Sequence, residues 1–546
     1  MSRMSGGEAI VSSLLAHGVD TLFGLPGAQL DHLYNAFYDA RHHLRVIHTR
    51  HEQATAYMAL GYAWAKDQVG VYNVVPGPGF LNTTAALATA YGLNSRVLAL
   101  VGQIPTDMIS RNTGMLHEIP DQLGILRSLT KWAERIAGPG QIGEKMGEAF
   151  RQLNSGIPLP VGLEVGQDVL AAVAEVGEIV VKEDPFRPPV DMDAVEEAAK
   201  LLGAAKNPLI FVGGGAMNAS ESVTRLAEML QAPVFSFRTG NGVVSSRHYL
   251  SHSLMAAPAL WAKADVVVGI GTRLSMPQLR WGLDDDLKIV RIDVDPEAHT
   301  NIRPPTVGLT ALAEDVVPAL VERLAKHNQS RPSREEEMLA LRGAFNEKLA
   351  KIEPQMSYLK LIREALPDDG IFVSDVTQIS YVGWNAYPTY QPRTFMNPGY
   401  QGTLGYGFAT ALGVKLAQPD KPVICAIGDG GFMYNVQEIA TAVQHDIPFV
   451  TLLFNDGHFG NVYRGQKHQY GGRIIATEFQ NPDFVTLVRS FGANAVRCTE
   501  LDDIRAAVDE GLESNVPTVI EIPVGEMPSS VPLFTRDRVR GKKASD

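Results

Sequence analysis

Cysteine is scarce in this chain. Cys425 and Cys498 are the only two among 546 residues. Two isolated thiols exclude both a disulfide framework and a zinc cluster. We expect both side chains to be buried as small apolar groups, and the low cysteine content favours a reducing cytoplasm.

Basic blocks are also lacking. The 48 Lys and Arg residues face 60 Asp and Glu residues, which gives a formal net charge of −12. This balance argues against nucleic acid or an anionic membrane surface as a partner. A short basic stretch, residues 536–543, is predicted to be a solvated terminus.

Long apolar runs are missing as well. The longest uncharged stretch, residues 68–95, contains Pro76, Pro78 and several glycines, so it does not predict a membrane span. Near the start of the chain Ser12, Ser13 and His17 interrupt the apolar residues, so no signal-peptide core is predicted. We therefore expect no membrane partner.

What the sequence does contain is alternation of short apolar strands with helical segments. The length predicts about three domains, which we place at residues 1–170, 190–330 and 355–530. Proline-rich residues 184–190 and the polar, charged residues 329–351 separate them, and the latter predict an exposed helix. Strands that alternate with helices in this way predict an α/β protein with three doubly wound parallel sheets.

The most informative motif lies in the third segment. An apolar strand, residues 423–427, runs into Gly428-Asp429-Gly430-Gly431, and a second apolar strand, residues 449–454, runs into Asn455-Asp456. Glycines after a strand allow backbone N–H groups to approach phosphate oxygens, and a carboxylate is the ligand that Mg²⁺ prefers. From Asp429 to Asp456 is 456 − 429 = 27 residues, one loop–helix–strand return. The unit predicts a metal-diphosphate clamp.

This unit resembles the thiamine diphosphate (ThDP) motif of the family that contains acetohydroxyacid synthase, pyruvate oxidase and benzoylformate decarboxylase. Further segments resemble that family in the same order along nearly the whole chain: Phe23–Ala28, Thr49–Ala54, Gly77–Thr83, Val101–Pro105 and Gly402–Gly407. The resemblance implies two ThDP-binding-type domains that flank a middle Rossmann-like domain. It also implies a homodimer or homotetramer whose active sites lie at subunit interfaces.

The resemblance carries over individual site residues. Glu52, within Thr49-Arg50-His51-Glu52-Gln53-Ala54, is the carboxyl that would hydrogen-bond the aminopyrimidine, and His117 and Gln103 are the other catalytic candidates. The implied cofactor-binding residues are Glu52, Pro26, Gly27, Asn82, Val376, Thr377, Gln378, Gly402, Leu404, Gly428, Gly430, Gly431 and Asn455. The implied Mg²⁺ ligands are Asp429, Asp456 and the backbone carbonyl of His458, with Asn455 as an alternative to Asp456.

The middle segment leaves its cofactor open. Gly213-Gly214-Gly215 and Gly271-Thr272-Arg273 follow predicted strands, as in a nucleotide-binding fold, and some relatives bind FAD there. The Asp-Asp-Arg run of acetohydroxyacid synthases is absent after Arg273, which speaks against FAD and against acetolactate synthesis. An ADP moiety or no ligand are the alternatives.

The resemblance implies a ThDP- and Mg²⁺-dependent enzyme that decarboxylates a small 2-keto acid, with or without carboligation. We expect an acetolactate-synthase-like protein; a non-ligating decarboxylase of the benzoylformate decarboxylase type and an acyl-CoA lyase or decarboxylase stay open. A dinucleotide-dependent oxidoreductase does not explain Glu52 or the clamp. A catalytically silent binding protein would be expected to lack Glu52 or Asp429, and both are present.

Overall fold

A computed structural model of the chain describes residues 2–179, 181, 185–533 and 537–541. They form two compact units. The first comprises the described residues of 1–186, 373–376 and 398–523, and the second comprises those of 187–372, 377–397 and 524–546. Asp184, within the predicted proline-rich linker, lies outside the described residues.

The N-terminal domain is a parallel sheet covered by helices. Its strands are β1 (Ser2–Ser5), β2 (Thr21–Gly24), β3 (Arg45–His48), β4 (Gly70–Val74), β5 (Val97–Gln103), β6 (Trp132–Ile136), β7 (Val161–Gly166) and β8 (Val173–Val176). Its helices are α1 (Gly6–Ala16), α2 (Asp31–Asp39), α3 (Glu52–Lys66), α4 (Pro78–Gly92), α5 (Gln122–Leu129), α6 (Ile142–Asn154) and α7 (Gln167–Ala171). Six strands pair in the order β3-β2-β4-β5-β7-β6, and β1 and β8 form a separate antiparallel pair.

The middle domain has a different strand order. Its strands are β9 (Pro208–Val212), β10 (Val234–Ser236), β11 (Ser251–His252), β12 (Val266–Ile270), β13 (Lys288–Asp293) and β14 (Val307–Thr310). They pair as β11-β10-β9-β12-β13-β14, the order 3-2-1-4-5-6 of a doubly wound nucleotide-binding fold. Ile210 and Val212 pack in one buried cluster and Leu209 and Phe211 in another, so the sheet is covered on both faces.

Helices of the middle domain and its connector complete this part of the chain. They are α8 (Met192–Ala204), α9 (Ser220–Leu230), α10 (Ala257–Trp261), α11 (Ala313–His327) and α12 (Glu335–Leu349). The connector α12 is mostly exposed, as its charge predicts, although Met338 and Leu349 are buried.

The C-terminal sheet repeats the N-terminal one. Its strands are β15 (Ile371–Ser374), β16 (Phe395–Met396), β17 (Val423–Gly428), β18 (Val450–Asn455), β19 (Asn494–Arg497) and β20 (Thr518–Pro523). The helices of this region are α13 (Gln355–Ala365), α14 (Gln378–Ala386), α15 (Tyr406–Ala417), α16 (Asp429–Phe432), α17 (Ile439–Gln444), α18 (Gly460–Gln469), α19 (Phe484–Ser490) and α20 (Leu501–Glu513). The strands pair as β16-β15-β17-β18-β20-β19; numbered within each domain, both orders read 2-1-3-4-6-5. The predicted α/β class with three parallel sheets is confirmed.

Within the first unit, α3 and α15 pack with their backbones in direct contact. A Cβ at Gly61 would overlap the backbone carbonyl of Thr410, and a Cβ at Gly413 would overlap that of Met58. Glycine at both positions therefore allows the two helices to approach this closely. The helix that begins at Glu52 is thus fixed against the helix that follows Leu404.

Two predictions about the rest of the chain have different outcomes. Cys425 and Cys498 are both buried and free, as expected. The prediction of a solvated basic terminus is wrong for Arg540, whose side chain is 9% exposed: its Nε donates to Asp284 Oδ2 at 2.6 Å, and the neighbouring Val539 N–H donates to Trp281 O at 2.9 Å. Arg536, Lys542 and Lys543 lie outside the described residues.

Among the described residues, no helix combines the length and the apolar character needed to cross a bilayer.

Candidate active site

The residues of the predicted clamp lie at the carboxyl ends of β17 and β18. Asp429 follows β17 directly and begins α16, and its side chain is only 2% exposed. Its Oδ2 accepts hydrogen bonds from the Gly457 backbone N–H at 3.0 Å and from Asn481 Nδ2 at 2.6 Å. Burial raises the pKa of Asp429 to about 6, the Asn481 hydrogen bond opposes that rise, and the nearby Asp456 carboxylate adds to it. Two carboxylates close enough to disfavour each other's charge suit a divalent cation.

The turn after β18 orients the second carboxylate. Asp456 Oδ1 accepts the His458 backbone N–H at 3.0 Å, and His458 Nδ1 lies 2.5 Å from the Asp456 carbonyl oxygen. Asn455, the alternative ligand, has its amide engaged on both sides: Nδ2 donates to Glu521 Oε1 at 2.9 Å, and Oδ1 accepts from Asn481 at 3.0 Å. Both polar atoms of the Asn455 side chain therefore hold the turn, and a carboxylate such as that of Asp456 is the better ligand for a hard cation.

Aromatic rings limit the space around the glycines of the clamp. A Cβ at Gly430 would come within 3.0 Å of the Phe459 ring and 3.1 Å of the Phe479 ring, which pack edge to face. A side chain at Gly430 would thus displace this wall. The glycines, the two carboxylates and the raised pKa of Asp429 together fit a metal-bound diphosphate.

The Leu404 turn is held by side chains of the same unit. Asn435 Nδ2 donates to Gly405 O at 2.6 Å, and Asp375 Oδ2 accepts the Gly407 N–H at 2.8 Å. Leu404 itself is half-buried, and the preceding Gly402 is exposed. Asp375 also accepts the Val376 N–H at 2.5 Å, so one buried carboxyl fixes both Val376 and the start of α15.

The second predicted end of the site lies in the N-terminal domain. β3 leads through the N-cap His51 into α3, whose first residue is Glu52. Glu52 Oε2 accepts a hydrogen bond from Asn82 Nδ2 at 2.9 Å. A Cβ at Gly79 would lie 3.7 Å from Glu52 Oε1, so the structure brings Glu52, Asn82 and the turn after β4 together. In the turn after β2, Gly27 packs on Val75, and Pro26 is exposed.

Comparisons with known proteins identify both domains that carry the two predicted ends of the site. Residues 4–125 match the N-terminal TPP binding domain of thiamine pyrophosphate enzymes, residues 195–320 match the central domain, and residues 375–522 match the C-terminal TPP binding domain. The chain belongs to the thiamine pyrophosphate enzyme family. It is a ThDP-dependent enzyme of the family that the sequence resembles.

Three relatives show how far the similarity extends. A probable 2-ketoarginine decarboxylase of Pseudomonas aeruginosa is 32% identical over 95% of this chain and 94% of its own length. A probable acetolactate synthase large subunit of Methanocaldococcus jannaschii is 35% identical over 95% of this chain and 92% of its own. The acetolactate synthase large subunit of Haemophilus influenzae is 30% identical over 98% and 97%. Each similarity therefore spans the whole three-domain arrangement.

The remaining family-derived residues have side chains that are already engaged. Gln103 is buried: its Nε2 donates to Glu164 Oε2 at 3.2 Å, and its Oε1 accepts the Ile104 N–H at 2.8 Å. In the second unit, Thr377 caps α14 through Ser380, and Gln378 Oε1 accepts the Met527 N–H at 2.9 Å. These contacts hold the two side chains within their own domains, and the roles of Gln103 and Gln378 stay predictions.

His117 lies on a strained loop. Its φ is +68°, in the left-handed region, and its Nδ1 lies 3.1 Å from Gln29 Oε1. Gln29 in turn donates to the Leu116 carbonyl at 3.0 Å. Backbone strain of this kind concentrates at functional sites. Glu118, next to it, instead accepts the Gly114 and Met115 N–H groups and closes the loop.

Sequence reasoning missed several polar residues that shape these two ends. Buried Glu164 pairs with Arg135 at 2.5 Å, and Gln122 donates to Glu164 Oε2 at 3.1 Å while it accepts the Gly77 N–H at 2.9 Å. Asn481 donates to Asp429 of the predicted clamp, and Asn435 donates to Gly405 in the Leu404 turn. None stands in a recognisable motif; the only signal was a polar residue in an otherwise apolar or loop context.

The glycines of the middle domain pack against each other. A Cβ at Gly213 would overlap the Gly271 carbonyl, a Cβ at Gly215 would come within 2.8 Å of Gly271 Cα, and Gly215 N–H donates to Gly271 O at 3.2 Å. Close approach of two turns accounts for these glycines. They give no independent support for a dinucleotide.

Proposed function

We propose that this chain is a ThDP- and Mg²⁺-dependent enzyme that decarboxylates a small 2-keto acid and releases either an aldehyde or a carboligated product. The observation that carries the proposal is the Asp429–Asp456 pair: a divalent cation would offset both the repulsion between the two carboxylates and the cost of a charge on buried Asp429. The relatives named for 2-ketoarginine decarboxylation and for acetolactate synthesis support the reaction class.

At the metal end, Asp429, Asp456 and the His458 carbonyl would hold Mg²⁺. Gly428, Gly430, Gly431 and Val376 would bind the diphosphate, and Asn455 would support the ligand turn. Thr377 and Gln378 stay predictions of the family resemblance. When bound, ThDP supplies the carbanion chemistry that cleaves a bond next to a carbonyl.

At the pyrimidine end, Glu52 would hydrogen-bond the cofactor ring and hold a proton there. Asn82 keeps the Glu52 carboxyl in place through the 2.9 Å hydrogen bond. Pro26 and Gly27 would line the ring, and Leu404 and Gly402 would support the cofactor from the C-terminal domain. His117, held by Gln29, is our candidate for orienting the substrate carboxylate, and Gln103 stays a catalytic candidate that the family resemblance implies.

We propose a homodimer or homotetramer with sites at subunit interfaces, as the resemblance implies. Glu52 contacts Asn82 of its own domain, whereas Asp429 contacts Gly457 and Asn481 of the other. The two buried free cysteines support a cytoplasmic location. The three domains are proposed at the boundaries given above, 1–170, 190–330 and 355–530.

The test is to incubate the purified protein with ThDP, Mg²⁺ and a panel of 2-keto acids that includes 2-ketoarginine. We expect CO₂ release that stops when a chelator removes Mg²⁺, and product analysis for aldehydes and acetolactate separates decarboxylase from ligase. Absence of CO₂ from every acid, with ThDP bound by calorimetry, would contradict the proposed reaction. The middle domain leaves FAD, an ADP moiety or no ligand open, and a visible absorption spectrum of the purified protein tests for FAD.

A further inference from the structure

Glu438 is a buried carboxyl to which the proposed reaction assigns no part. It lies in the short turn Val436–Glu438 that precedes α17, and its side chain is 0% exposed. Its oxygens accept the Arg50 backbone N–H at 3.0 Å, the His51 backbone N–H at 2.9 Å and the Thr441 hydroxyl at 2.6 Å. Gln437 Nε2 adds a longer contact at 3.4 Å, so the hydrogen-bonding capacity of this carboxyl is met, as is general for buried polar groups in folded proteins.

The two backbone donors come directly before the helix that carries Glu52. The N–H groups at a helix start have no partner within the helix, so an outside acceptor must satisfy them. His51 is the N-cap of α3, and its Nδ1 accepts the Gln53 N–H at 3.2 Å. Glu438 therefore fixes the two peptide groups before Glu52, and an anion at this point also favours the helix dipole.

The same turn holds a second group of the site. Asn435, three residues earlier, donates to Gly405 O at 2.6 Å and so fixes the turn that presents Leu404. Residues 435–438 thus contact both the start of α3 and the start of α15, the two helices that cross at Gly61 and Gly413. A shift of Glu438 would change the direction in which the Glu52 carboxyl leaves its helix.

We propose that Glu438 is a positioning residue for Glu52: its carboxylate, through the Arg50 and His51 N–H groups, sets the geometry in which Glu52 meets the cofactor. This inference rests on the proposed role of Glu52. The burial of Glu438 raises its pKa, and the backbone and Thr441 donors oppose that rise, so these contacts also keep the charge in place.

The test replaces Glu438 by Gln, which keeps the shape but turns one acceptor oxygen into an NH₂ group. Two measurements are made: amide hydrogen exchange of residues 49–53 in the cofactor-free protein, and the rate of C2–H exchange of ThDP bound with Mg²⁺. For E438Q we expect amide exchange to rise and C2–H exchange to fall, each about tenfold, the loss of one hydrogen bond to a charged group. ThDP affinity should stay within about threefold of the native value.

A matched control is Thr441→Val, which removes a donor from the same carboxylate but leaves Arg50 and His51 in contact. We expect both exchange rates to change much less than in E438Q, because the two backbone contacts remain. Glu52→Gln serves as the reference, because it should suppress C2–H exchange without changing amide exchange at residues 49–53.

The outcomes separate this inference from the proposed function. If E438Q speeds amide exchange but leaves C2–H exchange unchanged, Glu438 is merely structural and the inference is wrong. If the native protein fails to bind ThDP, the proposed function fails, and the amide exchange of E438Q still reports whether Glu438 fixes the helix start. Should E438Q not fold, Glu438→Asp withdraws the carboxylate by one methylene with the same expectations, and failure of both to fold would overturn a positioning role.

Discussion

The N-terminal and C-terminal sheets have the same strand order, but different residues follow the carboxyl ends of their strands. In both, the strand order reverses between the first and third strands, the point where ligands bind in open α/β sheets. After β4 the N-terminal domain places a Gly-Pro-Gly turn held by the amide of Gln122. After β17, at the equivalent point, the C-terminal domain places Asp429 and its neighbouring glycines. In the proposed site, a few residues thus adapt one scaffold to the two ends of a cofactor.

The second strands of the two sheets, β3 and β16, are also followed by different residues. β3 is followed by α3, which begins at Glu52, and β16 is followed by α15, which begins just after Leu404. One helix start presents a carboxyl and the other follows an apolar residue, while the two helices cross through Gly61 and Gly413. The scaffold fixes the two positions, and the proposed roles of Glu52 and Leu404 differ because their residue types differ.

The largest effect should come from breaking the C-terminal end. Asp429→Ala removes the buried carboxylate and should weaken Mg²⁺-dependent ThDP binding at least about hundredfold, because a direct metal ligand exceeds the 10–100-fold effect of outer-shell partners. Calorimetry with ThDP and Mg²⁺ measures the affinity. Asp502→Ala, an exposed acid on α20, is the control and should bind normally. Unchanged affinity in Asp429→Ala would contradict the clamp.

A second experiment asks whether the two ends serve one site from different chains. Glu52→Gln and Asp429→Ala subunits should each be inactive alone. Co-expressed with two affinity tags, they should form mixed dimers in which one site has both native ends, and about a quarter of the native activity should return in the unsorted mixture. No recovery in dimers purified through both tags would mean that both ends of a site come from one chain.

A smaller effect is expected from the crossing of α3 and α15. Gly413→Ala places a methyl group against the Met58 carbonyl and should lower the free energy of unfolding by about 1–3 kcal/mol. Gly343→Ala, in α12 with nothing within 4 Å of the added Cβ, should instead stabilise by up to about 1 kcal/mol. Urea unfolding measures both, and equal effects of the two changes would contradict the close helix contact.

The sequence predicts the parts of this site that stand in motifs and misses those that do not. Asp429 and Asp456 follow from their spacing, because each lies directly beyond a strand, and Glu52 follows from the family resemblance. Asn481 and Glu438 do not, since their partners lie 52 and 387 residues away in the chain. The basic terminus was misjudged for the same reason: Arg540 meets Asp284, 256 residues earlier, and a local charge pattern cannot show that partner.

The pH dependence of cofactor binding should give the smallest change and reports on the clamp alone. Burial, with the charge of Asp456, raises the pKa of Asp429 to about 6. The metal-free folded protein therefore holds a proton there more tightly than the unfolded chain does. Its free energy of unfolding falls as pH rises from about 4 to about 6. Mg²⁺ needs the carboxylate, so affinity for Mg²⁺ and ThDP should be constant well above pH 6 and fall about tenfold per pH unit below it.

Calorimetry between pH 5 and 8 in buffers of different ionisation enthalpy measures both this affinity and the proton released on binding. Asp375 provides an internal comparison, because burial also raises its pKa to about 6. Its carboxylate accepts the backbone N–H groups of Val376 and Gly407. Its share of the stability change with pH should persist in Asp429→Asn and should not respond to Mg²⁺. An affinity that stays level from pH 7 down to pH 5 would show that Asp429 is already ionised before the metal binds. The residues after β17 would then differ from those after β4 in their hydrogen bonds rather than in a carboxyl of raised pKa.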